Sequence, residues 1–323
     1  MYLQRKTDLN VNVMLIKEQL RYAKGQGGQQ YIDDDPTTEY INLANRIYGE
    51  TIDMKATYGN YYRGQTPSLH YDYHEGYSGQ TGTLTVPPTG TATGKVYYLR
   101  GKDLTYKVGY RIEDVEHAKD PTKGGFDNYK DTEWQWTITD GIEGDTITFN
   151  SPNPQDESKT FASFVTEEGY SYWYSAPSEG RYISGATPAD QMVFELYYKR
   201  ATNYIYYIQA YVETLEWAKG DHSGDQWELS GYPLATISNQ VYEDVITLET
   251  QEVKDFIAAA KSSAALVGFT YDASSSTGIT VGVTEGSTVH INFTRNWDNK
   301  VYIKHYGEKL DSAWARIDQP ESE

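Results

Sequence analysis

His70-Tyr71-Asp72-Tyr73-His74 sets two imidazoles and a carboxylate two residues apart. On a strand all three side chains point one way, and that donor set suits a metal ion. The plainer reading is three solvated side chains, because the sequence offers no evident fourth ligand. Asp33-Asp34-Asp35 and Asp140-Gly141-Ile142-Glu143-Gly144-Asp145 invite calcium, yet neither follows the spacing of an EF-hand loop. Two aromatic clusters point to a different chemistry. Tyr172-Trp173-Tyr174, read as a strand, places the two tyrosines on one face and the indole on the other. Trp134-Gln135-Trp136 puts both indoles on one face. Exposed rings stack on the apolar faces of sugars, so Trp173, Tyr172, Tyr174, Trp134 and Trp136 are the candidate ligand-binding residues. The competing reading packs the same rings into cores. No cysteine, G-x-S-x-G elbow or phosphate loop is present, and the six histidines lack triad spacing. Abundant carboxylates leave a glycosidase pair open as the weakest alternative. The expectation is a non-enzymatic protein without a cofactor.

The elements that must position these residues recur along the chain. Val96-Tyr97-Tyr98-Leu99-Arg100, Leu196-Tyr197-Tyr198-Lys199-Arg200 and Ile291-Asn292-Phe293-Thr294-Arg295 each read as a strand closed by arginine. Ala23, Ala118, Ala218 and Ala313 sit in related contexts and step by 95, 100 and 95 residues. That period exceeds a solenoid repeat and matches a small domain. Three modules are expected, residues 1–101, 102–201 and 202–297, with 298–323 starting a fourth. A chain ending inside a module is expected to be an excised segment, with Met1 added for expression.

Within the third module, Tyr204 to Glu216 reads as a long opening strand. Thr250 is a plausible N-cap, and Val253, Phe256, Ile257 and Ala260 share one face of a helix behind it. Strand patterns resume at Gly268-Phe269-Thr270-Tyr271 and close at Arg295. The second module repeats this order, with Leu104 to Glu116 opening and Pro154 to Val165 at the helix position, capped by Ser151 or Asn153. In the first module the helix position, Ala56 to Ser68, holds Gly59, Gly64 and Pro67, which makes a helix doubtful there. Strands crossed by one helix predict mainly β, α+β modules. A β-grasp (ubiquitin-like) module is the first choice and a β-sandwich the alternative. Junctions without Pro- or Ser-rich linkers favour an elongated, semi-rigid rod.

Composition narrows the partners. The net charge of −18 disfavours nucleic acid and anionic membrane surfaces. No apolar run is long enough to span a membrane and no signal-peptide pattern follows Met1. Without cysteine, stability rests on core packing. Tyrosine is the outlier, 31 against 8 phenylalanines. It suits half-buried strands and also supplies binding surface.

The ordered motifs resemble the mucin-binding-type (MucBP-like) repeats of Gram-positive surface adhesins. The Gly-x-Thr-Ile element is Gly49, Thr51, Ile52 and Gly144, Thr146, Ile147, with Glu243, Val245, Ile246 as a degenerate third copy. The Gly-aromatic pairs are Gly76-Tyr77, Gly169-Tyr170 and Gly268-Phe269, and the turns are Gly90-Thr91, Gly185-Ala186 and Gly278-Ile279. The resemblance implies a β-grasp fold, a cell-wall-anchored extracellular location and adhesion to host or environmental glycoproteins and glycans. Surface modules of that kind sometimes carry a Lys–Asn isopeptide bond. Lys107 and Asn292 hold suitable positions but in different modules, so none is expected. The main expectation is a monomeric adhesin segment binding mucin or another glycoprotein. The second is a stalk that projects a distal binding domain.

Overall fold

The computed structural model describes residues 3–126, 128–129, 135–165, 169–284, 287–296, 309–310 and 316–317. The chain divides into two compact units, Met1–Ala201 and Thr202–Glu323. The first holds modules 1 and 2 and the second holds module 3. Most of 298–323 lies outside the described residues, which there include one strand pair, Lys309–Leu310 with Arg316–Ile317.

Each module is built on one mixed sheet. In module 1 the opening strand Leu9–Lys17 lies between Glu39–Arg46, antiparallel to it, and the closing strand Ala92–Arg100, parallel to it. The returning strand Tyr71–Tyr73 runs antiparallel on the far side of the closing strand. Second, opening, closing, returning is the β-grasp order, with first and last strands parallel at the centre. Module 2 repeats it with Leu104–Ile112 opening, Gln135–Gly141 beside it, Val193–Arg200 closing and Tyr170–Ala176 returning. Module 3 repeats it with Tyr204–Glu213, Ala235–Gln240, Thr288–Arg295 and Phe269–Thr277. The opening strands stop earlier than the sequence pattern suggests. Each is followed by a short helix, Leu20–Ala23, Val115–Lys119 and Leu215–Ala218, and Ala23 and Ala218 are buried in theirs. This turn is what sets the alanine rhythm.

The closing arginines have one job in all three modules. Arg100 Nε donates to the Glu18 carbonyl at 2.6 Å, while the Arg100 N–H donates to Glu18 Oε2 at 3.1 Å. Arg200 makes the same pair with Glu113, at 2.5 and 2.9 Å, and Arg295 with Glu213, at 2.7 and 3.0 Å. Each glutamate is buried at the end of its opening strand, where the departing chain leaves a carbonyl off the ladder. The guanidinium also lies over Tyr71, Tyr170 or Phe269 of the returning strand. One arginine thereby ties three strands together.

The helix position differs between copies. In module 3 it is the helix Gln251–Lys261, with Val253, Phe256, Ile257 and Ala260 buried against the sheet as their spacing requires. Thr250 takes the N-cap position, but its hydroxyl accepts from Thr247 N–H rather than from the first helical turn. In module 1 one turn, Met54–Tyr58, is capped by the Asp53 carboxylate. In module 2 the expected helix over 154–165 is absent. Pro152–Asn153 and Asp156–Thr160 form a hairpin instead. Asn153-Pro154 is turn chemistry, and the Asn153 side chain closes the turn by accepting from Gln155 N–H at 2.8 Å. An irregular segment leaves carbonyls with acceptor capacity to spare, and tyrosine supplies donors. Tyr98 OH donates to the Tyr58 carbonyl at 2.7 Å and Tyr198 OH to the Ala162 carbonyl at 2.9 Å. Module 3, whose helix pairs its own carbonyls, has Phe293 at that site.

Glycine at the start of the Gly-x-Thr-Ile element is a backbone requirement. Gly49 and Gly144 have φ of +78° and +80°, and Glu243 is held at +62° in the third copy. Beside Gly144, Glu143 locks modules 1 and 2 within the first unit. Its Oε2 accepts from His70 N–H at 3.0 Å and Gly185 N–H at 2.8 Å, and its carbonyl accepts from Arg100 Nη1 at 2.7 Å. Lys24 and Asp145 add an ion pair at 2.9 Å across the same junction.

Candidate functional site: the outer face of the module 2 sheet

Alternation divides each central strand between two faces. On the module 2 closing strand Phe194, Leu196 and Tyr198 face the core, leaving Val193, Glu195, Tyr197 and Lys199 outside. The opening strand puts Lys107, Gly109 and Arg111 on that outer face beside them.

The returning strand does not obey simple alternation. Tyr172 pairs with Tyr198, whereas Tyr174 pairs with Tyr197, so Trp173 is the extra residue of a β-bulge. The expectation that Tyr172 and Tyr174 share a face is therefore overturned. Tyr172 packs on the core side against Phe149 and Tyr198. Trp173 and Tyr174 both reach the outer face, in edge contact at 4.6 Å. Tyr174 stacks flat on Tyr197 at 4.3 Å, and Phe126 stacks on Trp173 at 5.0 Å. Trp173 remains 48% exposed and Tyr174 38% exposed. Lys199 Nζ stands 4.2 Å from the indole centroid.

Next to the rings lies an open groove of about 470 Å³, lined by Lys107, Gly109, Gln135, Thr137, Val193 and Glu195. Gly109, with no side chain, forms its floor. Glu195 joins groove to rings, accepting from Arg111 Nε at 2.8 Å and from Tyr197 OH at 2.8 Å. Burial first and that carboxylate second push the Tyr197 phenol well above its usual range, so it stays a proton donor. The face thus offers flat rings beside fixed donors and acceptors, which is what a pyranose needs.

The other candidates fall elsewhere. Trp136 borders the groove, but its ring packs on the core side, stacked on Tyr110 at 5.2 Å and against Phe164. Trp134 lies outside the described residues. His70, Asp72 and His74 do not converge on a metal. His70 Nδ1 bonds Asp103 at 3.0 Å, Asp72 takes two bonds from Arg63, and His74 Nδ1 meets Tyr31 OH at 2.7 Å. The returning strand covers only the central three residues of that pentapeptide, so the alternation does not extend to both histidines. Among the described residues no group of three or more metal-ligating side chains comes together. The acidic turns are likewise engaged. Asp33 pairs with Lys95, Asp35 bonds Thr37 and Gln19, and Asp145 holds Lys24.

Sequence reasoning passes over Phe126, Tyr197, Lys199 and the Arg111–Glu195 pair. One signal for Phe126 is present in the repeat phase. It lies eight residues past Ala118, as Tyr31 lies past Ala23.

The same face is built differently in the other modules. In module 1 Tyr31 covers it, packed on Tyr97 and Tyr77 and leaving Tyr97 only 4% exposed. In module 3 the position of Tyr97 and Tyr197 is Asn292, buried and bonded to Ser275 and Ser276.

No protein-family model matches the chain, and no curated protein matches its sequence. Among solved structures, a streptococcal ancillary pilin aligns at 9% identity over 89% of this chain and 99% of its own, with a TM-score of 0.18. The open conformation of the pilus adhesin SpaC from Lactobacillus rhamnosus GG aligns at 8% identity over 91% of this chain, with a TM-score of 0.15. This chain spans 44% of that adhesin.

Proposed function

We propose that the chain is a non-enzymatic segment of a bacterial surface adhesin, and that module 2 holds a glycan of mucin or another glycoprotein on the outer face of its sheet. One observation carries the reading. Of three copies of one fold, module 2 combines half-exposed Trp173 and Tyr174 with an adjoining polar groove. A uniform spacer has no need to concentrate rings and polar groups on one copy. The resemblance to mucin-binding-type repeats supports an extracellular, wall-anchored setting and a glycoprotein ligand.

The test is a mucin and glycan screen on the intact chain and on Trp173→Ala. Retention by the intact chain should fall roughly tenfold or more in the variant, as for an interface anchor. Unchanged retention would remove module 2 from the ligand site.

A second reading, modules serving as a stalk, is favoured by the Glu143 junction, which fixes module 1 to module 2 through four polar contacts, those of Glu143 with His70, Arg100 and Gly101 and the neighbouring Lys24–Asp145 pair. That reading expects no retained ligand. It also expects Glu143→Ala to split the unfolding of residues 1–201 into two transitions.

A further inference from the structure

We infer that the ligand of the module 2 face is an acidic oligosaccharide, bound with a carboxylate on Lys199 and a neighbouring sugar ring on Trp173. This deepens the glycan reading above and rests on it.

The chain carries −18, and four of the five module 1 lysines, Lys17, Lys24, Lys55 and Lys95, each hold a carboxylate, while Lys6 holds the Pro88 carbonyl. The outer face of module 2 departs from that habit. Arg111 is neutralised by Glu195. Lys107 and Lys199 have no carboxylate partner among the described residues, although the chain has acids in large excess. Lys199 instead holds its ammonium over the exposed indole.

That placement selects among sugars. A neutral pyranose approaching Trp173 meets a hydrated ammonium and must displace it without replacing its charge interaction. A sugar acid must also move the ammonium off the ring, but it repays the displacement by giving that ammonium a charge-assisted hydrogen bond while its apolar face stacks on the indole. Lys107 marks the other end of the face. It pairs with Val193, six strand positions before Lys199, so the two ammonium-bearing positions are roughly 20 Å apart at the rise of an extended strand. The groove over Gly109 lies between them, which gives space for an oligosaccharide rather than a single sugar. The overall negative charge works against long polyanions, whose many charges feel the whole surface. A short chain with one or two carboxylates uses the local cations and escapes most of that repulsion, because exposed charges are screened beyond about 8 Å at physiological salt.

The experiment uses the full chain against an array of oligosaccharides ending in sialic or glucuronic acid, each beside its carboxyl methyl ester. Affinities of hits are then measured by calorimetry for the native chain, Lys199→Met and Trp173→Ala. The expected result is an acid held roughly tenfold or more tightly than its ester. Lys199→Met should erase that gap by weakening the acid, with the ester bound no more weakly than before, and Trp173→Ala should weaken both. Equal affinity for acid and ester, with both lost in Trp173→Ala, overturns the acidic ligand and keeps the aromatic platform. Failure of every free acid and every ester to bind, or binding that survives Trp173→Ala, overturns the platform as well.

Discussion

Modules 1 and 2 place an aromatic group at the same point of the same sheet, yet one covers it and the other leaves it open. The difference lies underneath the rings. On the outer face of the opening strand module 1 has Met14 and Ile16, both buried, where module 2 has Gly109 and Arg111. Met14 and Ile16 form a second small core with Tyr31 and Tyr97, and that apolar patch stays out of water only with a lid. The loop before Glu39 supplies it. Tyr31 packs at 4.9 Å on Tyr97 and bonds His74, while Asp33 accepts from Tyr97 OH and pairs with Lys95. In module 2 a glycine and an ion-paired arginine expose little apolar surface, so the sheet has less to hide. The same ring position thereby becomes core in one copy and contact surface in the other.

The largest effect expected from this contrast is on stability. Tyr97→Ala should cost about 3–5 kcal/mol, the range for emptying a buried aromatic site. Trp173→Ala should cost about 1 kcal/mol or less, because half of the indole already faces solvent. Chemical denaturation of both variants measures the pair. Equal losses would mean that Trp173 is a core residue and that the two faces do not differ in kind.

Removing the lid's anchor comes next. Tyr31→Ala should destabilise by about 2–4 kcal/mol and expose Met14, Ile16 and Tyr97, raising amide exchange along residues 24–38 while leaving module 2 protected. If the uncovered face is a latent copy of the module 2 platform, glycan retention should rise in the variant. Exchange that spreads evenly over both modules would show that the loop is no separate lid.

Acid should act on module 1 in a smaller and more local way. The Lys95 ammonium holds the Asp33 carboxyl below the usual carboxylate range, against a contribution from burial, and Tyr97 OH lowers it further. Thr37 does the same for Asp35. Both groups bind protons more weakly in the folded loop than in the unfolded chain. Their stabilisation is therefore complete above the unfolded value of about 4 and is lost as pH falls through the lower folded values. Contacts between the Tyr31 and Tyr97 rings, followed by NMR, should persist at pH 5 and weaken below about pH 4, while the Tyr174–Tyr197 stack holds. A lid that stays closed through that window would assign its closure to ring packing.

How much of this could be read beforehand varies with the range of the interaction. The closing strands, the helix Gln251–Lys261 and the order of elements follow from local pattern, and local pattern is what sequence displays. The role of the closing arginines does not, because Glu18, Glu113 and Glu213 lie 82 or 87 residues away. Trp173 was legible as an exposed candidate, but its face was not. Alternation assumes an unbroken register, and one bulge between Tyr172 and Tyr174 reverses it. The hairpin at Asn153 was hidden because a helix position inherited from the neighbouring repeat outweighed the turn chemistry of Asn153-Pro154. The partners of the His70–His74 pattern were out of sight for a similar reason. Its spacing suits a strand, but each side chain is claimed by a partner from elsewhere in the fold.

The smallest change separates the two loops most finely. Tyr31 and Phe126 occupy the same phase of the repeat and both pack on the closing-strand tyrosine, at 4.9 and 5.7 Å. They differ by one hydroxyl, and in module 1 that hydroxyl is buried against His74 Nδ1. Burial drives the Tyr31 phenol far above its ordinary range, so the group stays protonated and can donate. Tyr31→Phe gives module 1 the ring of module 2 and removes only this bond, for an expected loss of about 1 kcal/mol. Native-state exchange over residues 24–38 would register it. A loss of that size confined to the loop makes the hydroxyl one of the fastenings of the lid. No loss would place the whole difference in Met14 and Ile16 beneath the ring, and exchanging them for Gly109 and Arg111 would then be the change that opens module 1.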